Sequence, residues 1–137
     1  WSIVPKKYSV YWLFAFKKTV FSNVLFPVNL KCYEDVALIP VLIVSSDRVI
    51  TIDYVGYNYN CNSLNSLTTT HSIEAERSKT LNLIQAYKFA IENISKLTNV
   101  ASLDISPFYN YYTEWLIKKF DSLPETLKIE LAYEFQL

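Results

Sequence analysis

Two adjacent carboxylates, Glu34 and Asp35, are the residues of this chain best placed for chemistry. They stand directly before an apolar run, Val36 to Val44, which is typical of a helix N-terminus. The positive end of the helix dipole stabilises a negative charge at that position. Taken alone, the pattern favours a carboxylate that only caps the helix, and any catalytic role needs further support.

Other kinds of site are excluded by residue counts. Gly56 is the only glycine, and a phosphate-binding loop of the Walker or Rossmann type needs several positions without a Cβ. His71 is the only histidine, and Cys32 and Cys61 are isolated, so the sequence predicts no zinc cluster or His-rich metal site. Both cysteines are expected to be reduced thiols, because two cysteines do not make a disulfide framework.

Composition places the chain among globular proteins. Of its 137 residues, 51% are apolar and 19% are charged. Thirteen basic residues balance thirteen acidic ones, so nucleic acid, which requires a basic surface, is excluded as a partner. The longest apolar run contains Pro40 and is far shorter than the ~20 residues that span a bilayer. The N-terminus does not begin with Met and is expected to be the start of a fragment.

The second half of the chain is predicted to be helical. Apolar residues recur every three or four positions between Ser72 and Leu97, and Ser72 is placed to cap that helix. Ser106-Pro107 is expected to open a second helix, and Pro124 a third. The residues on the apolar face of the first of these helices are Ile73, Leu81, Ile84, Tyr87, Ile91, Ile94 and Leu97.

The first half is predicted to hold short strands and loops around one helix. Val49 to Tyr59 is rich in β-branched and aromatic residues and is the clearest strand. Pro40 falls inside the predicted helix, which should therefore be short or kinked. The sequence thus predicts a mixed α/β fold.

Four segments in order resemble the second half of family-2 glycosyltransferases, which have the GT-A fold. They are Trp12 to Phe21, Phe26-Pro27, Tyr33-Glu34-Asp35 and Arg48 to Thr68, and the resemblance covers roughly residues 8 to 97. It implies that residues 1–71 form the acceptor side of a GT-A fold and residues 72–137 a helical tail. It also implies that the nucleotide-binding half is absent from this chain.

The resemblance further implies a reaction. A sugar would pass from a nucleotide-sugar donor to an acceptor hydroxyl with inversion, in polysaccharide or cell-surface glycan synthesis. Asp35 matches the catalytic base of the family, and a carboxylate within ~3 Å of a hydroxyl can take its proton. Glu34 would orient neighbouring groups. The isolated chain is expected to be inactive without the nucleotide-binding half.

Substrate contacts are also implied by the resemblance. The candidates are Trp12, Lys17, Lys18, Tyr57, Tyr59, Ser66 and His71. Simpler interpretations stay open for several of them: a solvated basic pair for the lysines, a solvent-facing side chain for the histidine, and core packing for the aromatic residues.

The same resemblance sets expectations for cofactors and location. A divalent metal, Mg or Mn, is expected only in the full-length parent, held by an Asp-x-Asp motif that this chain lacks. The expected partners are a nucleotide-sugar donor and a glycan or lipid-linked acceptor. The expected location is cytoplasmic, with peripheral association at the inner face of the membrane and homo-oligomer formation left open.

The alternative is a noncatalytic helical module for protein interaction or membrane-surface binding. Its basis is a dense aromatic cluster, Tyr109, Tyr111, Tyr112 and Trp115, which would suit a partner surface or a membrane interface. Packing in the protein core is the competing interpretation of these residues, and it is the one that we favour.

Overall fold

The computed structural model describes residues 13–24, 26–50, 52–58, 72–97 and 104–135. These residues form α1 (Glu34–Val44), α2 (Ile73–Ser95), α3 (Ser106–Asp121) and α4 (Glu125–Leu131), with a 3-10 helix at Lys18–Asn23. None of the described residues is in a β-strand. The prediction of a mixed α/β, GT-A type fold is therefore wrong, and the architecture is helical.

The predicted strand at Val49 to Tyr59 accounts for much of this difference. Residues 48–50 and 52–58 belong to neither a helix nor a strand. A strand exists only where its backbone groups pair with a neighbouring strand, and the described residues contain none for this segment to join. A β-branched composition favours the extended conformation, but it cannot supply the missing neighbour.

Helix α1 lies at the centre of the fold. Every residue from Val36 to Val44 is buried, as expected for a helix that is apolar on all sides. Pro40 lies inside the helix without ending it, and α1 is 11 residues long. The prediction of a helix starting at Glu34-Asp35 is confirmed, and Pro40 does not make that helix shorter than an average one of about 11 residues.

Helix α1 packs mainly against α2. Ala37 on α1 and Ala86 and Ala90 on α2 are completely buried, and small side chains at such positions let two helices approach closely. Val36, Leu42, Leu83 and Ile84 belong to the same apolar cluster. The main core of the protein is therefore the α1–α2 interface.

The N-terminus and the apolar face of α2 follow the sequence pattern with one exception. The Ser72 hydroxyl accepts the Ala75 N–H at 3.1 Å, which confirms the predicted cap. Ile84 and Ile94 are buried as expected. Ile73, however, is 57% exposed. The apolar spacing continues into the first turn of α2, but this side chain has no core to enter there.

Helices α3 and α4 complete the described fold. Phe108 and Tyr112 on α3 are buried, and Tyr109, Tyr111 and Trp115 pack against the same core, which confirms the core interpretation of the aromatic cluster. A second, smaller cluster contains Leu123, Leu127 and Leu131. No helix among the described residues combines the length and the apolar character needed to cross a bilayer.

The start of α3 lies one residue before its predicted position. Ser106 is the first helical residue rather than the cap, and Ile105 precedes it. The carboxylate of Asp104 accepts hydrogen bonds from the Ser106 N–H at 3.0 Å and from its hydroxyl at 2.6 Å. Asp104 therefore satisfies the N–H of the first helical residue, Ser106, which has no partner within the helix.

Candidate functional site

The candidate site is the first turn of α1. Tyr33, just before it, has a left-handed backbone with φ 65° and ψ 22°. A non-glycine residue pays about 1–2 kcal/mol for this conformation. The Tyr33 carbonyl accepts the Ala37 N–H at 3.1 Å and so closes the first helical turn. This residue therefore sets the direction in which α1 begins and the position of the two carboxylates that follow.

Asp35 is the chemically distinctive group of this turn. It is partly buried, and its Oδ1 accepts the N–H of Val36 at 2.8 Å. No side chain among the described residues donates a hydrogen bond to the Asp35 carboxylate, and no described Lys or Arg forms an ion pair with it. Burial, reinforced by the neighbouring charge of Glu34, raises the pKa of Asp35 to about 6, against the opposing effect of the Val36 N–H.

This environment gives Asp35 the properties of a proton acceptor. A carboxylate with a pKa near 6 is largely ionised at neutral pH, yet it binds a proton far more strongly than an ordinary aspartate. The pair Glu34 and Asp35 therefore has one group that can accept a proton and one that adds negative charge beside it. The arrangement can assist removal of a proton from a hydroxyl, but it supplies no positive charge for an anionic leaving group.

Cys32 adjoins this turn but is a poor nucleophile. It is a free cysteine, as predicted, and burial raises the pKa of its thiol, with Glu34 raising it further. Lys79 on α2 opposes this effect without cancelling it. The thiol therefore stays protonated, and the protonated form does not attack an electrophile. Cys61 lies outside the described residues.

Glu76, in the first turn of α2, provides a contrast with Asp35. Glu76 accepts a hydrogen bond from the Lys119 ammonium at 2.6 Å and joins α2 to α3. That hydrogen bond lowers the pKa of Glu76. The ionised form of a first-turn carboxylate is thus stabilised when a cation on another helix pairs with it, as Lys119 does with Glu76. Asp35 has no such cation among the described residues.

The other predicted site residues are not gathered around Asp35. Lys17 and Lys18 are exposed, and neither is among the groups that shift the pKa of Asp35. Tyr57 lies in the stretch 52–58, which is neither helix nor strand, and is about half exposed. Only Glu34 and Asp35 share one helical turn. The remaining predicted residues, Trp12, Tyr59, Ser66 and His71, lie outside the described part of the chain.

Two residues that hold this turn in place were not identified from the sequence. The side-chain oxygen of Asn82 accepts the Lys31 N–H at 2.8 Å, and the ring of Trp115 meets the ring of Tyr33 edge to face, with centroids 6.0 Å apart. One signal was present: Asn82 is a polar residue on the buried side of α2, beside Leu83. A buried amide usually has hydrogen-bond partners, so a polar residue at this position indicates a contact with another part of the chain.

A metal site is not formed in the described region. Among residues 13–24, 26–50, 52–58, 72–97 and 104–135, no three His, Cys, Asp or Glu side chains are close enough to hold a metal ion together. Glu34 and Asp35 lack a third ligand there, so these residues do not fit the divalent metal that the family resemblance implies.

Asp35→Asn should stabilise the folded chain at alkaline pH. The buried charge disfavours folding, and after allowance for partial exposure its removal should raise the free energy of unfolding by about 1–2 kcal/mol near pH 8. Because the folded pKa is raised from 3.8 to about 6, the folded state binds the proton more tightly. Wild-type stability should therefore fall as pH rises through that window, and the variant should lack this slope.

Urea unfolding at about pH 8 and about pH 2.5 measures this difference, which should be close to zero at the lower pH because the carboxyl is then protonated in both the folded and the unfolded wild type. Asp47→Asn, at an exposed carboxylate beyond the end of α1, is the matched control and should change little at either pH. An Asp35→Asn variant less stable than the wild type at the higher pH would show that the carboxylate is a structural cap after all.

Comparison of the chain with known proteins found no matching family model, no matching curated protein and no matching solved structure.

Proposed function

We propose that this chain is the acceptor-side portion of an inverting glycosyltransferase and that Asp35 is its general base. Two independent lines support the proposal: the resemblance carried by Tyr33-Glu34-Asp35, and the environment of the Asp35 carboxylate in the first turn of α1. The GT-A fold is not part of the proposal, because the described architecture is helical.

The observation that carries the proposal is a partly buried carboxylate without a stabilising partner. Burial of a charge disfavours folding unless the charge is paired, as that of Glu76 is by Lys119. Among the described residues, Asp35 accepts hydrogen bonds only from backbone N–H groups, those of Val36 and of Asp35 itself, and burial still raises its pKa to about 6. Titratable side chains whose buried charge destabilises the fold, and whose pKa is shifted as a result, are concentrated at functional sites.

The proposed reaction is a single displacement. The acceptor hydroxyl loses its proton to the Asp35 carboxylate as its oxygen forms a bond to the anomeric carbon of the donor sugar. The bond between that carbon and the nucleoside diphosphate breaks at the same time, and the electron pair leaves with the diphosphate. The configuration inverts because attack and departure occur on opposite faces.

The donor side of the reaction is assigned to other parts of the polypeptide. The described residues do not fit a metal, and Glu34 and Asp35 would repel a diphosphate. The proposal therefore places the nucleotide-sugar site and its divalent metal outside the residues that the structure describes. A metal bound there would neutralise the departing diphosphate.

An assay of the polypeptide that carries this chain together with a nucleotide-binding half tests the proposal. Purified protein would be incubated with a panel of nucleotide sugars and glycan or lipid-linked acceptors, and release of nucleoside diphosphate would be measured. Acceptor-dependent release that requires Asp35 supports the proposal. If no nucleotide-binding half is encoded with this chain, the proposal fails.

A second candidate function is a noncatalytic interaction module that self-associates. The observation that favours it is the stretch 52–58, which belongs to neither a helix nor a strand and in which Ile52, Tyr54 and Val55 are each at least 74% exposed. An exposed apolar stretch rich in β-branched and aromatic residues can pair, as a strand, with a second copy of itself. Two copies related by a two-fold axis would each contribute one strand.

Ile52→Asp should abolish self-association if this second function is correct. The introduced charge would be buried between paired segments, which is unfavourable without a partner. Ile129→Asp is a matched control, because Ile52 and Ile129 are both 74% exposed and Ile129 lies on α4. Sedimentation velocity over a range of concentrations measures the association, and a wild-type chain that is monomeric throughout would exclude this function.

A further inference from the structure

The loop before α1 is tied to α2 by one buried amide. Asn82 is 8% exposed, and its Oδ1 accepts the Lys31 N–H at 2.8 Å from a residue 51 positions away in the sequence. Its Nδ2 donates to the Ser78 carbonyl oxygen, also at 2.8 Å. Both polar ends of this side chain are therefore engaged, one within α2 and one across to the loop.

These two partners determine how the amide is oriented. The Ser78 carbonyl can only accept a hydrogen bond, so the NH2 group of Asn82 must face it. The Lys31 N–H can only donate, so the carbonyl oxygen of the amide must face the loop. The bond to Ser78 thus holds the acceptor in the one orientation that can receive the Lys31 N–H.

Aromatic packing fixes the other end of the same loop. The Tyr33 ring contacts Trp115 of α3 edge to face, with an angle of 84° between the ring planes. The stretch from Lys31 to Tyr33 is therefore attached to α2 at its start and to α3 at its end. It leads directly into the left-handed residue that begins α1, two positions before Asp35.

We infer that Asn82 is a positioning residue for Asp35, which acts by fixing the loop from Lys31 to Tyr33 against α2. The inference rests on the proposed role of Asp35 as a base. A general base must be held within hydrogen-bonding distance of the proton it takes, and small displacements of such groups reduce rates strongly. Loss of the Asn82 tie should let the first turn of α1 move and admit water to Asp35.

The test variant is Asn82→Leu, with Asn93→Leu as a matched control. Asn93 lies on the same helix, and its Nδ2 donates to the Phe89 carbonyl at 2.8 Å, the same bond to the fourth preceding residue that Asn82 makes. The control therefore removes an equivalent bond within α2 without touching the loop. A second variant, Asn82→Ser, keeps a hydroxyl that can bond to the Ser78 carbonyl but is too short to reach Lys31.

Two measurements on the 137-residue chain follow the loop directly. In Asn82→Leu, the amide hydrogen of Lys31 should exchange about tenfold faster, as expected for loss of a buried hydrogen bond. The pKa of Asp35, followed by carbon-detected NMR titration, should fall from about 6 towards 3.8 because burial no longer disfavours its charge. Amide exchange in the centre of α2 should change little, and Asn93→Leu should leave both readouts unchanged.

Each outcome decides the question. Faster exchange at Lys31 with a lower Asp35 pKa, while the centre of α2 is unaffected, supports a positioning role. An unchanged exchange rate at Lys31, an unchanged Asp35 pKa, or equal acceleration of exchange at Lys31 and throughout α2 would overturn it. If Asn82→Leu does not fold, Asn82→Ser is judged by the same criteria. The readouts do not require catalysis, so a failed transferase assay and a failed positioning role are distinguishable.

Discussion

Asp35→Asn should lower the kcat for sugar transfer by about 10²–10⁴-fold, the usual contribution of a general base, in the polypeptide that performs the reaction. The amide has the shape of the carboxylate and can still accept the Val36 N–H, so the first turn of α1 should keep its geometry. It cannot accept the proton of the acceptor hydroxyl. Donor affinity should stay within about twofold, because the base acts on the acceptor in the transition state.

The pH dependence of the wild-type reaction should identify the same group. Asp35 is active as a base only when ionised, so kcat/KM should rise with pH up to about 6 and level off above it. This is the opposite direction to its effect on stability, which decreases over the same interval. Any residual activity of Asp35→Asn should lack this rise in kcat/KM on the acidic side of the pH profile, the acidic limb.

Glu34→Gln is the control for a general effect of charge in this turn. Removing the Glu34 charge lessens the electrostatic contribution that raises the pKa of Asp35, so the acidic limb should move to lower pH while most of the activity is kept. Nucleoside diphosphate release measured across a pH series distinguishes the two variants. Turnover of Asp35→Asn at the wild-type rate would end the assignment of Asp35 as the base.

The sequence was sufficient to locate the helices and the carboxylates because these depend on nearby residues. The Ser72 cap acts on Ala75, three positions away, and the start of α1 at Glu34 follows from the polar-to-apolar change there. Such interactions are encoded within one or two helical turns. They can be predicted without knowing what the chain packs against.

Features that depend on distant residues could not be predicted. The pKa of Asp35 is set mainly by burial, which arises only when the helices assemble. Asn82 and Lys31 are 51 positions apart, and nothing in either local sequence indicates that they meet. The position of the candidate site in the chain could thus be predicted. The pKa of Asp35 and the residues that hold its helical turn in place could not.

The incorrect strand prediction has the same origin. The segment from Val49 to Tyr59 has the composition of a strand, but pairing depends on a neighbour that the described residues do not contain. Ile73 shows the corresponding limit for helices. Its spacing matches the apolar face of α2, yet its side chain is 57% exposed because the core does not extend to that turn.

Ile84→Ala should lower the free energy of unfolding by about 2–5 kcal/mol, the range for truncating a buried isoleucine. Ile84 is 1% exposed and belongs to the apolar cluster that joins α2 to α1. Truncation removes three carbon atoms from a closely packed interface, and the surrounding helices can only partly fill the space. The loss would be a large fraction of the stability of a domain of this size.

Ile73→Ala provides a matched comparison on the same helix. It removes the same atoms from a side chain that is 57% exposed, so the change in unfolding free energy should be within about 0.5 kcal/mol. Urea denaturation of both variants measures the difference. Equal effects at the two positions would mean that α2 does not pack against α1 as described. The attachment of the Asp35 turn to α2 through Asn82 would then lose its structural basis, since the tie is useful only if α2 itself is held against the helix that carries the base.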